Sequence, residues 1–176
     1  ITAAIFLYKE RDIDHLLLDD IKDEAKAKGT GKWTSQIAMD LETPIPTIDA
    51  AVSMRDLSKF KVLRGQLAKV YTGNQWLIPG NRETQLEQLE QAFYFSMIMT
   101  YTQGMHLLAK ASVAYNYSLD IAAIARIWRG GCIIRSAFLN DIYGAFSHNP
   151  ELQLLLAYEP IAAKVIAASA GSRAII

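Results

Sequence analysis

The chain has 176 residues, a length that suits one domain or part of one, and its 18 Lys and Arg residues balance its 18 Asp and Glu residues. Hydrophobic residues make up 51% of the sequence and charged residues 20%, which excludes intrinsic disorder. A net charge of zero argues against a nucleic-acid-binding protein, because such proteins usually carry an excess of basic residues. The single cysteine, Cys132, excludes an intrachain disulfide and a cysteine-rich zinc site.

Helical apolar spacing runs through almost the whole sequence, with Gly and Pro between the blocks, and predicts a mainly α fold. Residues 1–12 are predicted as a helix end or an extended lead-in. A short helix is predicted at about residues 33–41, and the prolines of residues 43–46 end it, because proline lacks an amide donor. Thr47 is the predicted N-cap of the next helix, which reaches about Tyr71.

The longest predicted helix runs from about Glu83 to Ala114, roughly 48 Å at 1.5 Å per residue. From Ala92 onward it is apolar almost all round, which is typical of a central buried helix. Its uncharged stretch from Phe93 to Ala109 is near the minimum length of a membrane span. Several polar side chains in that stretch would be costly in lipid, so we predict a helix buried by other helices and no membrane partner.

The last third of the sequence contains further helix signals. Ser118 is the predicted cap of a helix that the Gly130-Gly131 pair interrupts or bends before it continues to Phe146. Asn149 and Pro150 predict the start of another helix, which Pro160 breaks. The expected architecture is about six helices around one long buried helix.

The stretch Lys28-Gly29-Thr30-Gly31-Lys32-Trp33-Thr34 is the most informative motif. Its two glycines let a ligand approach the backbone, its lysines add positive charge, and the following helix offers free amide groups, so it predicts an anion-binding site. It is not a nucleotide P-loop, since Lys26 stands where that motif requires Gly and Trp33 separates Lys32 from Thr34. A simple helix-start turn is the alternative.

A second group of basic residues follows at intervals of three: Arg55, then Ser58, Lys61 and Arg64. Such residues share roughly one face of a helix. A basic helix face is usually just solvated, and this one becomes a binding face only if it is turned toward the glycine loop.

Other chemistry-bearing residues favour structural roles. The Gly130-Gly131 pair predicts close helix packing, Cys132 is predicted to be a small core residue, and His106 a hydrogen-bonded core residue. No metal site is predicted, because metal-ligand spacing is missing from the three histidines, His15, His106 and His148.

Taken in order, these stretches match the motifs of a known family. They are the glycine stretch of residues 28–34, Arg55-x-x-Ser58-x-x-Lys61-x-x-Arg64, Tyr101-Thr102-Gln103-Gly104, Trp128-Arg129-Gly130-Gly131-Cys132-Ile133-Ile134-Arg135-Ser136 and Asn149-Pro150-Glu151-Leu152. With them, essentially the whole chain closely resembles the C-terminal, all-helical domain of the 6-phosphogluconate dehydrogenase (decarboxylating) family.

That resemblance implies an oxidative decarboxylation in the pentose phosphate pathway, in which 6-phosphogluconate and NADP become ribulose 5-phosphate, CO2 and NADPH. It implies a cytoplasmic homodimer whose N-terminal Rossmann domain holds NADP and whose helical domain supplies part of the substrate site and most of the dimer interface. By match to the motifs, Lys32, Thr34 and Arg55 correspond to residues that bind the phosphate end of the substrate. A lysine and an arginine suit this role, because both form charge-assisted hydrogen bonds with phosphate.

The family's glycine-rich dinucleotide fingerprint, its catalytic lysine and glutamate, and its C-terminal tail do not occur in this sequence, which starts without Met and stops within an apolar helical pattern. We therefore expect residues 1–176 to be a partial substrate-binding and dimerisation domain, with no catalytic residue and no activity alone. A stand-alone helical binding or dimerisation module is the alternative. A relative that acts on another hydroxy acid is a third reading, against which Lys32 and Arg55 weigh.

Overall fold

A computed structural model describes residues 2–10, 14–73 and 80–175. All regular elements in these ranges are helices, which confirms the mainly α fold. The elements are α1 (Thr2–Phe6), α2 (Leu17–Asp20), α3 (Thr30–Asp40), α4 (Pro46–Ser58), α5 (Lys61–Val70), α6 (Arg82–Ala114), α7 (Ile121–Trp128), α8 (Leu139–His148), a 3-10 turn (Leu155–Ala157) and α9 (Glu159–Ile175). Within the described ranges, none of these helices combines the length and hydropathy needed to cross a membrane.

The chain divides into two compact units. One contains residues 1–28 and 53–74, and the other contains residues 29–52 and 75–176. Helix α4 therefore contributes its first seven residues, 46–52, to the second unit and its remaining residues to the first.

The second unit is organised around α6, which begins one residue before the predicted start and ends at the predicted Ala114. Asn81 caps it, because its side-chain oxygen accepts a hydrogen bond from the Thr84 amide at 2.8 Å. Helix α6 packs mainly against α9, and α7 packs against α8. The main core cluster joins α6 to the elements that follow it, through Ile98, Met105, Ala125, Phe138, Leu139, Ile142, Ala145, Phe146, Leu152, Leu155 and Ile161.

A smaller core cluster holds α3 and the start of α4 against α6. Ala38, Ile45 and Leu107 form it, and Ile45 is fully buried. Pro46 is the first residue of α4, a position where the missing amide hydrogen costs nothing. The predicted cap, Thr47, is therefore wrong, since it lies inside the first turn of α4.

The predicted single helix from Thr47 to Tyr71 is also wrong. Helix α4 ends at Ser58, and two turn residues separate it from α5. The Ser58 hydroxyl donates to the Arg55 carbonyl at 2.6 Å, and Arg64 donates to the Ser58 carbonyl at 3.2 Å. These side chains satisfy backbone carbonyls that a continuous helix would have bonded itself.

Two helix starts in the last third differ from the prediction. Asp120, not Ser118, caps α7, because its carboxylate accepts a hydrogen bond from the Ala123 amide at 2.9 Å. The pattern predicted that the same helix could continue past the glycine pair, but residues 129–138 form turns and α8 starts anew at Leu139. Gly131 has a φ of +130°, which prevents the helix from resuming there.

The predicted helix start at Pro150 and helix break at Pro160 are both wrong. Residues 149–154 are irregular and lead into the 3-10 turn, so Asn149 and Pro150 do not begin a helix. Pro160 does not break one either, since it is the second residue of α9. Proline is tolerated in the first turn, whose amide groups have no intrahelical partner.

In the first unit, side-chain hydrogen bonds connect the end of α4 and α5 to the segment after α2. The Ser58 hydroxyl accepts from the Ala25 amide at 2.9 Å, and Arg64 pairs with the Asp23 carboxylate at 3.0 Å. The predicted helix end near the start of the sequence is present as α1, while residues 11–13 lie outside the described range.

Candidate anion-binding site at the start of α3

Helix α3 begins within the glycine stretch, three residues earlier than predicted. Gly29 is its N-cap and adopts a φ of +98°, and a Cβ there would lie 3.1 Å from the Trp33 ring. The Trp33 amide donates to the Gly29 carbonyl at 3.0 Å, which closes the first turn. The amide groups of residues 30–32 precede that bond and are available to a ligand. The stretch is thus a helix start whose free amides suit an anion.

Electrostatics at this helix start also favour an anion. The first turn of α3 contains no acidic residue and includes Lys32. The Lys32 side chain is exposed and makes no ion pair or hydrogen bond with any described residue. Its ammonium group therefore has all its donors available and adds to the positive end of the helix dipole.

Thr34 lies one turn further along α3 and is half-buried. Its hydroxyl donates to the Thr30 carbonyl at 2.8 Å, so its proton is already engaged and its oxygen is left to accept. Within the described residues the Thr30 hydroxyl, at the exposed first position of α3, has no such bond. A phosphate oxygen, which only accepts, would find its donors at Lys32, Thr30 and the amides rather than at Thr34.

Thr34 lines a cavity of about 710 Å³ in the second unit. Its walls come from α3, α4, α6, α7 and the turns that follow α7, and include Thr34, Ile48, Phe93, Ser96, Met97, Thr100, Tyr101, Gly104, Trp128, Ile133, Ile134, Arg135 and Ser136. Three of the sequence motifs, separated by up to about 100 residues, therefore meet at one cavity.

A few polar groups line this mostly apolar cavity. The Tyr101 hydroxyl donates to the Ile134 carbonyl and so joins α6 to the turn segment. Ser136 also lines the cavity, and its buried hydroxyl has no hydrogen-bond partner among the described residues. A buried hydroxyl without a partner is costly, so a ligand that hydrogen-bonds with it would remove that cost. Arg135 adds a positive charge to the same wall.

Arg55 belongs to the other compact unit. Its side chain is half-buried, and its Nε atom is buried without a hydrogen-bond partner in the described part of the chain. The break after Ser58 separates Arg55 from Lys61 and Arg64, so the predicted single basic helix face does not exist. The structure brings Lys32 and Thr34 together on α3, and the place of Arg55 beside them stays a prediction.

Gln103 is a residue of this region whose role the sequence did not indicate. It is 9% exposed, its Oε1 accepts from the Thr47 amide at 2.9 Å, and its Nε2 donates to the Thr47 hydroxyl at 2.9 Å. Gln103 therefore caps α4 from α6, in place of a local cap. The two residues are 56 positions apart, so no local pattern could have revealed the pairing.

Sequence comparison identifies the family. A family model described as "6-phosphogluconate dehydrogenase, C-terminal domain" matches residues 1–176. The chain belongs to the 6-phosphogluconate dehydrogenase family. The sequence resemblance is thereby confirmed.

Relatives from distant organisms match most of this chain. Decarboxylating 6-phosphogluconate dehydrogenases are similar to it at 46% identity in Synechococcus elongatus (90% of this chain and 34% of the relative) and at 44% identity in Homo sapiens (89% and 32%). A solved structure from Plasmodium falciparum, described as 6-phosphogluconate dehydrogenase in its apo form and in complex with its cofactor NADP+ and its substrate 6-phosphogluconate, matches with a TM-score of 0.90. It is 37% identical and covers 99% of this chain and 38% of its own. This chain thus spans about a third of the length of the relatives it matches.

The remaining sequence predictions have mixed outcomes. His106 is hydrogen-bonded, since its Nδ1 lies 2.8 Å from the Gln153 carbonyl oxygen, but it is only half-buried. Cys132 is exposed, so its prediction as a core residue is wrong. Close helix packing at the glycine pair is also wrong, because a Cβ at Gly131 would meet nothing within 4 Å. Among the described residues, no cluster of His, Cys, Asp or Glu could hold a metal ion.

Proposed function

We propose that residues 1–176 are part of the helical substrate-binding and dimerisation domain of a decarboxylating 6-phosphogluconate dehydrogenase. The complete enzyme oxidises 6-phosphogluconate with NADP and releases ribulose 5-phosphate, CO2 and NADPH. The observation that carries this proposal is the helix start at Gly29, where free amides and Lys32 precede Thr34, which lines a cavity formed by the family's motifs.

In this proposal the start of α3 binds the substrate phosphate. The amide groups of residues 30–32 and the Lys32 ammonium donate charge-assisted hydrogen bonds to a phosphate dianion, and Arg55 contributes a second positive charge. Thr34 positions the first turn through its bond to the Thr30 carbonyl and offers its oxygen to a substrate hydroxyl. The unpartnered Ser136 hydroxyl suits the polyhydroxylated carbon chain of the same substrate.

The proposal assigns hydride transfer to NADP, which an N-terminal domain of the same protein mainly holds. The side chains of this chain bind and orient the substrate, and none of them is assigned a proton-transfer step. We place the enzyme in the cytoplasm, in the pentose phosphate pathway, in keeping with the metabolic enzymes it resembles.

A homodimer is the proposed assembly. Helix α5 supports it, because Val62 is 77% exposed and Val70 is 70% exposed, and Leu63 and Leu67 on the same helix are about half exposed. Apolar side chains grouped in this way mark surfaces that another protein surface covers. Light scattering of the purified complete protein should give twice the subunit mass, and a monomer would contradict the assembly.

Kinetics of the complete enzyme test the phosphate assignment. Lys32→Ala and Arg55→Ala should each raise KM for 6-phosphogluconate roughly 10- to 150-fold, because each removes a charge-assisted hydrogen bond of about 1.5–3 kcal/mol. KM for NADP should not change. Lys110→Ala, which removes an exposed lysine near the end of α6, is the matched control and should leave both constants unaltered.

The outcomes separate the parts of the proposal. A wild-type protein that does not reduce NADP with 6-phosphogluconate would refute the activity. Unchanged KM values in both variants, with activity present, would refute the phosphate site alone. Lys28→Ala and Thr30→Val belong in the same series, because Lys28 precedes the N-cap and the Thr30 hydroxyl, at the first position of α3, has no bond to a described residue.

A further inference from the structure

One hydrogen bond fixes the rotation of α3 relative to α4. The Ser35 hydroxyl donates to the Asp49 carboxylate at 2.6 Å, and both residues are half-buried. Within the described residues, this is the side-chain hydrogen bond that joins α3 to another helix. Apolar contacts around Ala38 and Ile45 also hold α3 in this region, but such contacts have no preferred direction.

Asp49 is in turn held in place through α6. It lies in the first turn of α4, two residues after Thr47, and the Gln103 amide fixes Thr47 through two hydrogen bonds of 2.9 Å. Gln103 is adjacent to Gly104, which lines the cavity. Two sets of hydrogen bonds, joined by the first turn of α4, therefore connect Gln103 on α6 to Ser35, the residue that follows Thr34 on α3.

We propose that Asp49 and Gln103 are positioning residues for the anion site: they set the orientation of α3 and hence of Lys32 and its free amides relative to the cavity. This inference rests on the proposed function. Hydrogen bonds weaken steeply when their geometry is poor, so a small rotation of α3 would weaken several donors to a phosphate at once.

The direction in which phosphate binding changes when Asp49 is removed distinguishes a positioning role from a direct effect of its charge. Asp49 is an acidic residue on the helix next to an anion site. If it acted on the ligand through its charge, its removal would tighten phosphate binding, since like charges repel. If it acts by holding Ser35, its removal weakens phosphate binding although a negative charge is lost.

Steady-state kinetics of the complete enzyme with 6-phosphogluconate provide the test. Asp49→Ala and Ser35→Ala should each raise KM for 6-phosphogluconate roughly 3- to 10-fold, as expected for the loss of one hydrogen bond, and leave KM for NADP unchanged. Asp49→Asn keeps an oxygen that accepts from Ser35, so its KM should stay within about twofold of the wild-type value. Because one bond is shared, the double variant of Ser35 and Asp49 should be no worse than either single variant.

Gln103→Leu is a second test of the same inference, because leucine has a similar volume but makes neither of the two hydrogen bonds to Thr47. It should raise KM for 6-phosphogluconate without changing KM for NADP. Thermal unfolding of every variant accompanies the kinetics. If Asp49→Ala does not fold, Ser35→Ala and Asp49→Asn decide the result.

Three results would overturn the inference. A lower KM in Asp49→Ala would show a charge effect, and a lower melting temperature with unchanged KM would show a purely structural role. An Asp49→Asn variant as impaired as Asp49→Ala would exclude the Ser35 bond as the cause. Lys32→Ala distinguishes these failures from failure of the proposed function. If Lys32→Ala raises KM for 6-phosphogluconate and the positioning variants do not, the phosphate site is supported and the positioning role is refuted.

Discussion

Replacing Gly171 with alanine tests how closely α9 packs on α6. Gly171 is buried, and its amide donates to the Gln91 side-chain oxygen at 3.0 Å. A Cβ at this position would lie 2.5 Å from the Gln91 Cβ and 3.0 Å from the Gln88 carbonyl oxygen. The contact with the Gln91 Cβ is far shorter than van der Waals distance. The contact with the Gln88 carbonyl involves backbone, which cannot rotate away as a side chain can, so α9 and α6 must separate.

The expected magnitude is set by opposing contributions. Alanine gains about 0.8–1.0 kcal/mol over glycine within a helix. Overpacking a close contact costs about 1–3 kcal/mol, and the lost bond to Gln91 costs about 0.5–1.5 kcal/mol more. Gly171→Ala should therefore lower the free energy of unfolding by about 0.5–3.7 kcal/mol, which lowers Tm by roughly 1–15 °C for a chain of this size.

Gly144 on α8 is the matched control, because a Cβ there meets nothing within 4 Å. Gly144→Ala should gain the helix propensity without the clash and raise Tm by about 2–4 °C. Calorimetry or circular dichroism of the two variants beside the wild type measures both shifts. If Gly171→Ala is as stable as Gly144→Ala, the close approach of α9 to α6 is refuted.

Two further predictions concern a helix cap and an ion pair. Asp120→Ala removes the cap from the Ala123 amide and should cost about 1 kcal/mol in chemical denaturation, whereas Asp120→Asn should be nearly neutral. The hydrogen bond from Lys164 to Asp141, at 2.9 Å, raises the pKa of Lys164. Its stabilisation, below about 1 kcal/mol because the pair is about one-third exposed, should be complete below about pH 10 and disappear as the pH rises through the folded-state pKa. The difference in free energy of unfolding between wild type and Lys164→Met should therefore decrease as the pH rises over this range. A difference that does not change with pH would contradict the ion pair.

The sequence predicted the long helix well because its signals are local. Its helical spacing continues without a break, and from Ala92 onward it is apolar almost all round, so each turn of the helix contributes its own signal. The order of the helices and the proposed anion site at residues 28–34 depend on the same kind of signal. Glycine at position 29 is required by a positive φ, which only glycine adopts easily.

Other boundaries were missed because tertiary contacts choose between competing local signals. Both Pro150 and Pro160 can begin a helix, and burial of Leu155 and Ile161 decides in favour of the second. No Gly or Pro marks the break after Ser58, where Arg64 donates to the Ser58 carbonyl and the Ser58 hydroxyl donates to the Arg55 carbonyl and accepts from the Ala25 amide. The bonds of Gln103 and Asp49 lie outside sequence reasoning for the same reason, since they join separate helices.

The pairing of α6 with α9 has a consequence for synthesis of the chain. Gln91 and Gly171 are 80 residues apart, and Ile161 on α9 belongs to the same core cluster as Ile98 on α6. At about 5–20 residues per second, a ribosome needs roughly 4–16 s to make the intervening segment. During that interval the apolar side of α6 has no α9 to cover it. We expect nascent chains stopped before residue 159 to bind chaperones that recognise apolar helices, and chains extended past residue 171 to be released.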